Sequence, residues 1–140
     1  MADPYNLERF VAAQDGGTYD KAIAELRDGQ KVSHWMWFVF PQIAGLGQSS
    51  TSRTYAISSL DEARAYLSHP VLGPRLVECV GIVARLTGRT AEEIFGVVDA
   101  RKLRSSMTLF CHAAPDEPSF IRVLDVYFDG RQDEATVTRF

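Results

Sequence analysis

The sequence predicts an all-α fold, a compact single-domain bundle of about seven or eight short helices over residues 1–140. Most segments place apolar residues at helical spacing, with capping residues before them and Gly or Pro after them. No segment alternates apolar and polar residues as a half-buried strand would. Apolar residues make up 46% of the chain and charged residues 24%, as in ordinary globular domains. A chain of this length builds one core without metal or disulfide staples.

The first two helices are predicted from their boundaries. Asp3 is a favourable N-cap, and Pro4 suits the first helical position because its missing N–H costs nothing there. Gly16-Gly17 ends this helix. Thr18 is predicted to cap the next helix, which ends at Gly29.

The segment Ser33–Pro41 is apolar on every side, so its periodicity does not separate a buried helix from a buried strand. Its aromatic content favours a strand, whereas the helical pattern around it favours a short buried helix. In both cases we expect Trp35 and Phe38 to be largely buried, together with Met36 and Phe40. The following residues, 42–52, contain two glycines and are predicted to form a loop.

Four polar residues are predicted to cap later helices. Ser59 and Thr90 each stand three residues before a Glu, which is the spacing of a capping box. Asp99 and Asp133 are also interpreted first as N-caps. Between them, a long apolar stripe that begins at Leu72 predicts a helix with one buried face.

Composition and motifs exclude several functional classes. The net charge is −3 with interspersed signs, so we expect no nucleic-acid partner. No apolar run approaches the roughly 20 residues that span a bilayer, and no secretory segment is recognisable, so a cytoplasmic location is expected. Cys79 and Cys111 lie in apolar helical patterns and are predicted to be free thiols. We find no metal-ligand spacing and no cofactor motif, and therefore expect neither metal nor cofactor.

The candidate ligand-binding residues are His34, Trp37, Gln42 and Arg53. Tryptophan stacks on planar groups, a Gln or His side chain reads the edge of a ligand, and a guanidinium suits phosphate or carboxylate. The glycine-containing loop is short enough to fold back over the aromatic segment, so we expect these residues to border one cleft. The alternative is that His34 and Gln42 only satisfy backbone groups while Arg53 points into solvent.

A second polar group could support acid–base chemistry, but only if the fold brings its carboxylates together. Its members include Asp99, Asp129 and Asp133, with nearby Ser and Thr residues. The sequence alone does not place them, and the catalytic residues, if any, stay unknown at this point.

The segment Ser33–Gly47, with the letters SHWMWFVFPQIAGLG, is the most distinctive part of the chain. With four further segments it resembles the bacterial family called domain of unknown function 1810, over about Tyr5 to Val137. The resemblance implies a compact, mainly helical single domain and no established activity. Some members carry the label calpastatin, but calpastatin segments are long, disordered and repeated, which this composition contradicts. The further segments are Tyr55–Ile57, His69–Gly73, Ser105–Phe110 and Tyr127–Thr136.

Three functions therefore stay open. The first is a small soluble bacterial protein that binds a small planar or phosphorylated ligand, and a pocket joining the aromatic segment to the glycine loop would favour it. The second is a hydrolase or glycosidase acting on a nucleotide-like molecule, which requires a titratable group in that pocket. The third is a protein-interaction module without a pocket, marked by an exposed apolar patch. The oligomeric state is not predicted.

Overall fold

A computed structural model describes residues 3–86 and 88–140, and within these ranges the chain forms a single all-helical domain without a β-strand. No helix in these ranges is long and apolar enough to cross a membrane. In chain order the helices are α1 (Glu8–Gln14), α2 (Thr18–Asp28), α3 (Met36–Val39), α4 (Ser50–Thr54), α5 (Leu60–Ser68), α6 (Leu72–Arg85), α7 (Ala91–Phe95), α8 (Val97–Ala113), α9 (Pro118–Phe128) and α10 (Glu134–Val137).

The predicted fold class is confirmed, but the described residues form ten helices rather than seven or eight. The difference comes from α3 and α4, which have four and five residues. A helix of about one turn is too short to show a 3.6-residue periodicity, so neither could be assigned from its pattern. The loop predicted over residues 42–52 is accordingly interrupted by the start of α4 at Ser50.

Helix α8 forms the centre of the core. It packs against α5, α7, α9 and α10, while α6 packs against α2, α5 and α9. Residues 105–111 of α8 are buried without interruption, because neighbouring elements cover this helix on all sides. A helix buried all round shows a weaker apolar stripe than α6 or α9, each of which keeps one face in solvent.

The start of α1 differs from the prediction. The helix begins at Glu8, after Asn6 adopts a left-handed conformation with φ 51° that interrupts helical geometry. Asp3 nevertheless satisfies the first turn, because its carboxylate accepts hydrogen bonds from the N–H groups of Leu7 (2.8 Å) and Glu8 (3.1 Å). Pro4 lies before the helix and not at its first position.

Three predicted caps are confirmed. The side chains of Ser59, Thr90 and Asp133 each accept a hydrogen bond from the backbone N–H three residues later. Thr90 forms a complete capping box, in which the Glu93 carboxylate accepts from the Thr90 N–H at 2.8 Å. These positions combine a short polar side chain with the acidic first turn that a helix N-terminus favours.

Two predicted caps are wrong. Helix α2 has Gly17 as its N-cap, with φ 88°, and Thr18 is the first helical residue. Helix α8 begins at Val97 after Gly96, so Asp99 lies inside its first turn and forms ion pairs instead. In both cases a glycine with positive φ changes the chain direction before the expected cap.

The aromatic segment is anchored in the core through its ends and one face. Trp35, Met36 and Phe40 are at most 1% exposed, and Pro41 follows the short helix α3. Phe38 is partly buried and packs against this core.

Both cysteines are free and buried, as predicted. Burial disfavours the thiolate, and it raises the pKa of Cys79 to about 12 and the pKa of Cys111 in the same direction. Neither thiol is therefore poised as a nucleophile.

Candidate ligand-binding site

A cavity of about 220 Å³ opens between α3 and the segment that follows it, residues 42–56. Three of the four predicted site residues, Trp37, Gln42 and Arg53, share it. Trp37 contributes from the outer face of α3, and Arg53 from α4. The full lining is Trp37, Gln42, Ile43, Ala44, Gly45, Gly47, Ser52, Arg53, Tyr55 and Ala56.

His34 does not line this cavity, which corrects the expectation of one cleft shared by all four residues. Its exposed side chain borders a separate depression together with Gly16, Gly17 and Lys21. The reason is the position of α3: His34 precedes the buried Trp35 at one end of the aromatic segment, whereas Gln42 follows the segment at its other end.

The backbone of the cavity wall is fixed by a short parallel bridge between Ile43 and Ile57. The Ala44 N–H donates to the Ile57 carbonyl (2.8 Å), and the Ile57 N–H donates to the Gln42 carbonyl (2.9 Å). Directly after the bridge, Gly45 turns the chain with φ 98°, a conformation that favours glycine. The two pieces of chain that border the cavity are thus held side by side.

Gly47 allows α4 to approach the cavity wall closely. A Cβ atom at this position would lie 2.4 Å from the Cβ of Ser52, which is closer than packed atoms tolerate. Any larger residue at position 47 must displace α4, and with it Arg53, the residue after Ser52. The Ser49 side chain caps α4 by accepting from the Ser52 N–H at 3.1 Å.

Arg9 holds the opposite wall of the cavity in place. Its Nε donates to the Thr54 carbonyl (2.7 Å) and its Nη2 to the Ala56 carbonyl (2.8 Å), so the two carbonyls flanking Tyr55 are fixed by one guanidinium. Nη2 also pairs with the carboxylate of Glu62 at 2.9 Å. This planar group with several rigid donors suits the role better than a lysine would.

Glu62 completes this clamp from α5 and is only 3% exposed. Its Oε1 accepts from both the N–H (2.8 Å) and the hydroxyl (2.7 Å) of Ser58. The capping-box prediction assigned Glu62 a bond back to Ser59, and the structure directs that carboxylate to Ser58 and Arg9 instead. These hydrogen bonds and the ion pair with Arg9 offset the cost of burying the Glu62 carboxylate.

Trp37 lies beside a positively charged cluster. The Lys102 ammonium is 4.7 Å from the centre of the Trp37 ring, a cation–π distance, and 3.7 Å from Asp99. Asp99 also pairs with Lys31 at 2.8 Å, so two ammonium groups share one carboxylate. The Trp37 indole N–H is buried and has no acceptor within the part of the chain that the structure describes.

The polar side chains of the cavity are available for a ligand. Among the described residues, no hydrogen bond or ion pair involves the guanidinium of Arg53 or the amide of Gln42. The described lining contains no Asp, Glu, His or Cys. The cavity therefore offers a cation, an amide, hydroxyl groups and aromatic rings for binding.

Comparison with known proteins agrees with the resemblance noted in the sequence. A family model described as "Protein of unknown function (DUF1810)" matches residues 4–140. The chain belongs to this family. It is similar to the crystal structure of the conserved hypothetical protein Rv1873 from Mycobacterium tuberculosis, with 52% identity, 97% of this chain and 96% of that chain covered, and a TM-score of 0.95. No curated protein matches the sequence.

The acidic residues considered for acid–base chemistry do not form one group in this DUF1810 protein. Asp99 pairs with two lysines, whereas Asp133 accepts from the hydroxyls of Ser105 (3.2 Å) and Thr136 (2.6 Å). Asp129 ends α9 in a left-handed conformation. Their structural roles account for them, and the described residues contain no cluster of His, Cys, Asp and Glu that could hold a metal.

Arg9, Glu62 and Lys102 are the residues of this site that sequence reasoning missed. Arg9 and Thr54 are 45 positions apart, and nothing in either local pattern links them. The available signal was the position of Glu62 after a predicted cap, which indicated a hydrogen-bonded carboxylate but not its partner.

Proposed function

We propose that this protein binds a small ligand with a planar group and an anionic group in the cavity between α3 and residues 42–56. The single observation that carries the proposal is Arg53, an exposed side chain that lines the cavity and has no hydrogen-bond or ion-pair partner among the described residues. A guanidinium at the rim of a cavity suits an anionic group through bidentate contact.

The planar group would contact the aromatic side chains of the cavity. Trp37 lines one side and Tyr55 another. The Tyr55 ring packs against Phe10 and Phe38, with ring centres 5.8 and 5.3 Å apart, and Arg9 holds the carbonyls on either side of it. Rings held in this way lose little freedom when a ligand binds, and the Gln42 amide is placed to read the edge of that ligand.

The anionic group would bind where Arg53, the hydroxyl of Ser52 and the glycine turn meet. Gly45 and Gly47 line the cavity, where the Arg139 guanidinium lies against Gly45 and the Ser52 side chain lies against Gly47. Such turns bind anions through backbone N–H groups. The lining brings no carboxylate to oppose this.

We favour binding over the enzymatic alternative because the described lining holds no carboxylate, imidazole or thiol, the groups that most often serve as acid, base or nucleophile in a hydrolase or glycosidase. A protein-interaction role is the second candidate. It is supported by three exposed valines, Val32 (72% exposed), Val97 (58%) and Val98 (65%). The hydrogen bond from the Lys31 N–H to the Ile94 carbonyl joins the two stretches of chain that carry them.

A bacterial, cytoplasmic setting without nucleic-acid partners belongs to the same proposal. Two free, buried thiols suit a reducing compartment. The net charge of −3 gives no general attraction to polyanions.

The test is a screen of metabolites and small aromatic acids by thermal shift, followed by titration of each hit against variants. Arg53→Ala and Gln42→Ala should each weaken binding by about tenfold or more, since a hydrogen bond to a charged group contributes roughly 1.5–3 kcal/mol. Arg64→Ala is the matched control, because Arg64 is exposed and pairs with Asp61 away from the cavity.

Unfolding in urea separates binding from folding in these variants. We expect Arg53→Ala to unfold as the wild type does, because the side chain has no partner among the described residues. Equal losses of stability and affinity would contradict the proposal, as would hits that bind unchanged to both cavity variants.

A further inference from the structure

We infer that Arg139 is a second residue that binds the anionic group of the ligand, together with Arg53. This inference rests on the proposed function and adds to it a binding residue from the segment that follows α9. The group bound is an oxyanion, a carboxylate or a phosphate, whose oxygens accept hydrogen bonds from both guanidinium groups. Three observations carry the inference: the position of Arg139, the docking of its segment and the charges at the glycine turn.

The guanidinium of Arg139 lies against the glycine turn that borders the cavity. A Cβ atom at position 45 would be 2.5 Å from Arg139 Nη1 and 2.9 Å from its Cζ, so the guanidinium occupies the space that a side chain at Gly45 would take. Gly45 itself lines the cavity. Arg139 is not part of the lining, and it flanks the cavity through its contact with this glycine.

The segment that carries Arg139, residues 131–139, is docked onto α8. The Asp133 N–H donates to the Thr108 hydroxyl at 2.9 Å, and the Asp133 carboxylate accepts from the Thr136 N–H at 3.0 Å. Thr136 is fully buried, and its carbonyl accepts from the Arg139 N–H at 3.0 Å. The fold therefore holds the backbone of Arg139 in place, while its exposed side chain remains accessible to a ligand.

Two guanidinium groups without a carboxylate partner border the same turn of chain. Arg53 lines the cavity, and Arg139 lies against Gly45. Among the described residues, no ion pair or side-chain hydrogen bond involves either arginine, and the described lining contains no carboxylate. An oxyanion at this turn is attracted by both positive charges, and its several lone pairs allow a hydrogen bond from each guanidinium.

The alternative role of Arg139 is structural, with its guanidinium only filling the space beside Gly45. The two roles predict different results for the same substitution. A structural role depends on packing, so loss of the side chain changes the stability of the fold and leaves anion binding dependent on Arg53 alone. A binding role depends on charge, so loss of the guanidinium weakens anion binding in a folded protein, and a lysine at this position restores part of it.

NMR titration with two matched probes tests the inference. Benzoate and phenyl phosphate carry the same ring with a carboxylate or a phosphate, and each is added at constant ionic strength. ¹H–¹⁵N spectra follow the side-chain Nε–H signals of Arg53 and Arg139 and the backbone amides of Gly45 and Gly47. We expect at least one probe to shift all four signals with one dissociation constant, and the tighter probe identifies the anionic group that the site prefers.

Substitution of Arg139 provides the second measurement. Arg139→Gln should raise the dissociation constant of the tighter probe about threefold or more, a modest factor because the guanidinium is exposed. Arg139→Lys keeps the charge and should recover part of this loss. Arg131→Gln is the matched control, because it removes the same charge from the same segment, where Arg104 binds only the backbone carbonyl of Arg131. Urea unfolding shows first that each variant is folded.

The outcomes separate this inference from the proposed function. If the signals of Arg53, Gly45 and Gly47 shift but that of Arg139 does not, the inference is overturned and the cavity remains a ligand-binding site. If neither probe shifts any of the four signals, the proposed function fails together with the inference. Equal weakening in Arg139→Gln and Arg131→Gln would show only an effect of net charge and would also overturn it. The Arg139 signal is measured in the wild type, so the test does not depend on the stability of a variant.

Discussion

Trp35 and Trp37 stand two residues apart in the aromatic segment, and each has a lysine ammonium over its ring, but their environments differ. Trp35 is fully buried, and its indole N–H donates to Glu25 at 2.9 Å. Trp37 lines the cavity, and its indole N–H is buried without an acceptor in the described residues. The ammonium groups of Lys31 and Lys102 lie 5.0 and 4.7 Å from the respective ring centres.

The difference indicates a division of roles within one turn of chain. The groups around Trp35 are mutually satisfied, as expected of a residue that stabilises the fold. The surroundings of Trp37 include an unpaired indole donor and open space, both of which lower the stability of the fold. A role in ligand binding would account for them. Glu25 binds the Trp35 side and not the Trp37 side of this segment. Besides the Trp35 indole, its Oε1 accepts from the N–H groups of Val32 (2.7 Å) and Ser33 (2.8 Å).

The largest effect is expected from removing the two rings in turn. Trp35→Ala leaves a cavity in the core and should lower the free energy of unfolding by about 3–5 kcal/mol. Trp37→Ala should cost only about 1–2 kcal/mol, because its ring is partly exposed and already borders empty space. Urea unfolding of the two variants measures both values, and equal losses would show that Trp37 is a core residue like Trp35.

A smaller effect is expected from Glu25→Gln, which keeps an acceptor oxygen but removes its charge. The loss should be about 1 kcal/mol at pH 7, the difference between a charged and a neutral hydrogen bond. Asp28→Asn, an exposed carboxylate at the end of the same helix, is the control and should change stability little.

The same pair of variants makes a pH prediction. Burial by itself raises the pKa of Glu25, but the hydrogen bonds from Ser33, Val32 and Trp35 outweigh it and lower the pKa to about 2. Because the folded pKa is below the unfolded one, near 4.5, the stabilisation is complete above pH 4.5 and is lost as pH falls towards 2. Wild-type stability should therefore fall more steeply with acidification than that of Glu25→Gln. Parallel curves would show that Glu25 does not hold this segment through its charge.

The smallest effect is a spectroscopic one that depends on the proposed ligand site. In Trp35→Phe the remaining indole is Trp37, and in Trp37→Phe it is Trp35. A ligand identified by the thermal-shift screen should change the fluorescence of the first variant and leave that of the second unchanged, since only Trp37 borders the cavity. A response confined to Trp35 would place the ligand elsewhere.

The parts that sequence reasoning predicted correctly depend on neighbours along the chain. Helix caps at Ser59 and Thr90, the anchored Trp35 and the grouping of Trp37, Gln42 and Arg53 all follow from local spacing. His34 was grouped with them because sequence distance does not show which side of a buried element a residue occupies. The choice between helix and strand for the aromatic segment stayed open, since a one-turn helix shows no periodicity that identifies it.

The pairing of Arg9 with residues 54, 56 and 62 also has a kinetic consequence. These contacts join positions separated by 45, 47 and 53 residues, so they close long loops and carry their entropic cost. The wall that carries Tyr55 is therefore complete only when α1 is docked onto the chain that follows it, and contacts between such distant positions form slowly. A chain in which α1 is not docked lacks this wall, so ligand recognition reports on the assembled molecule.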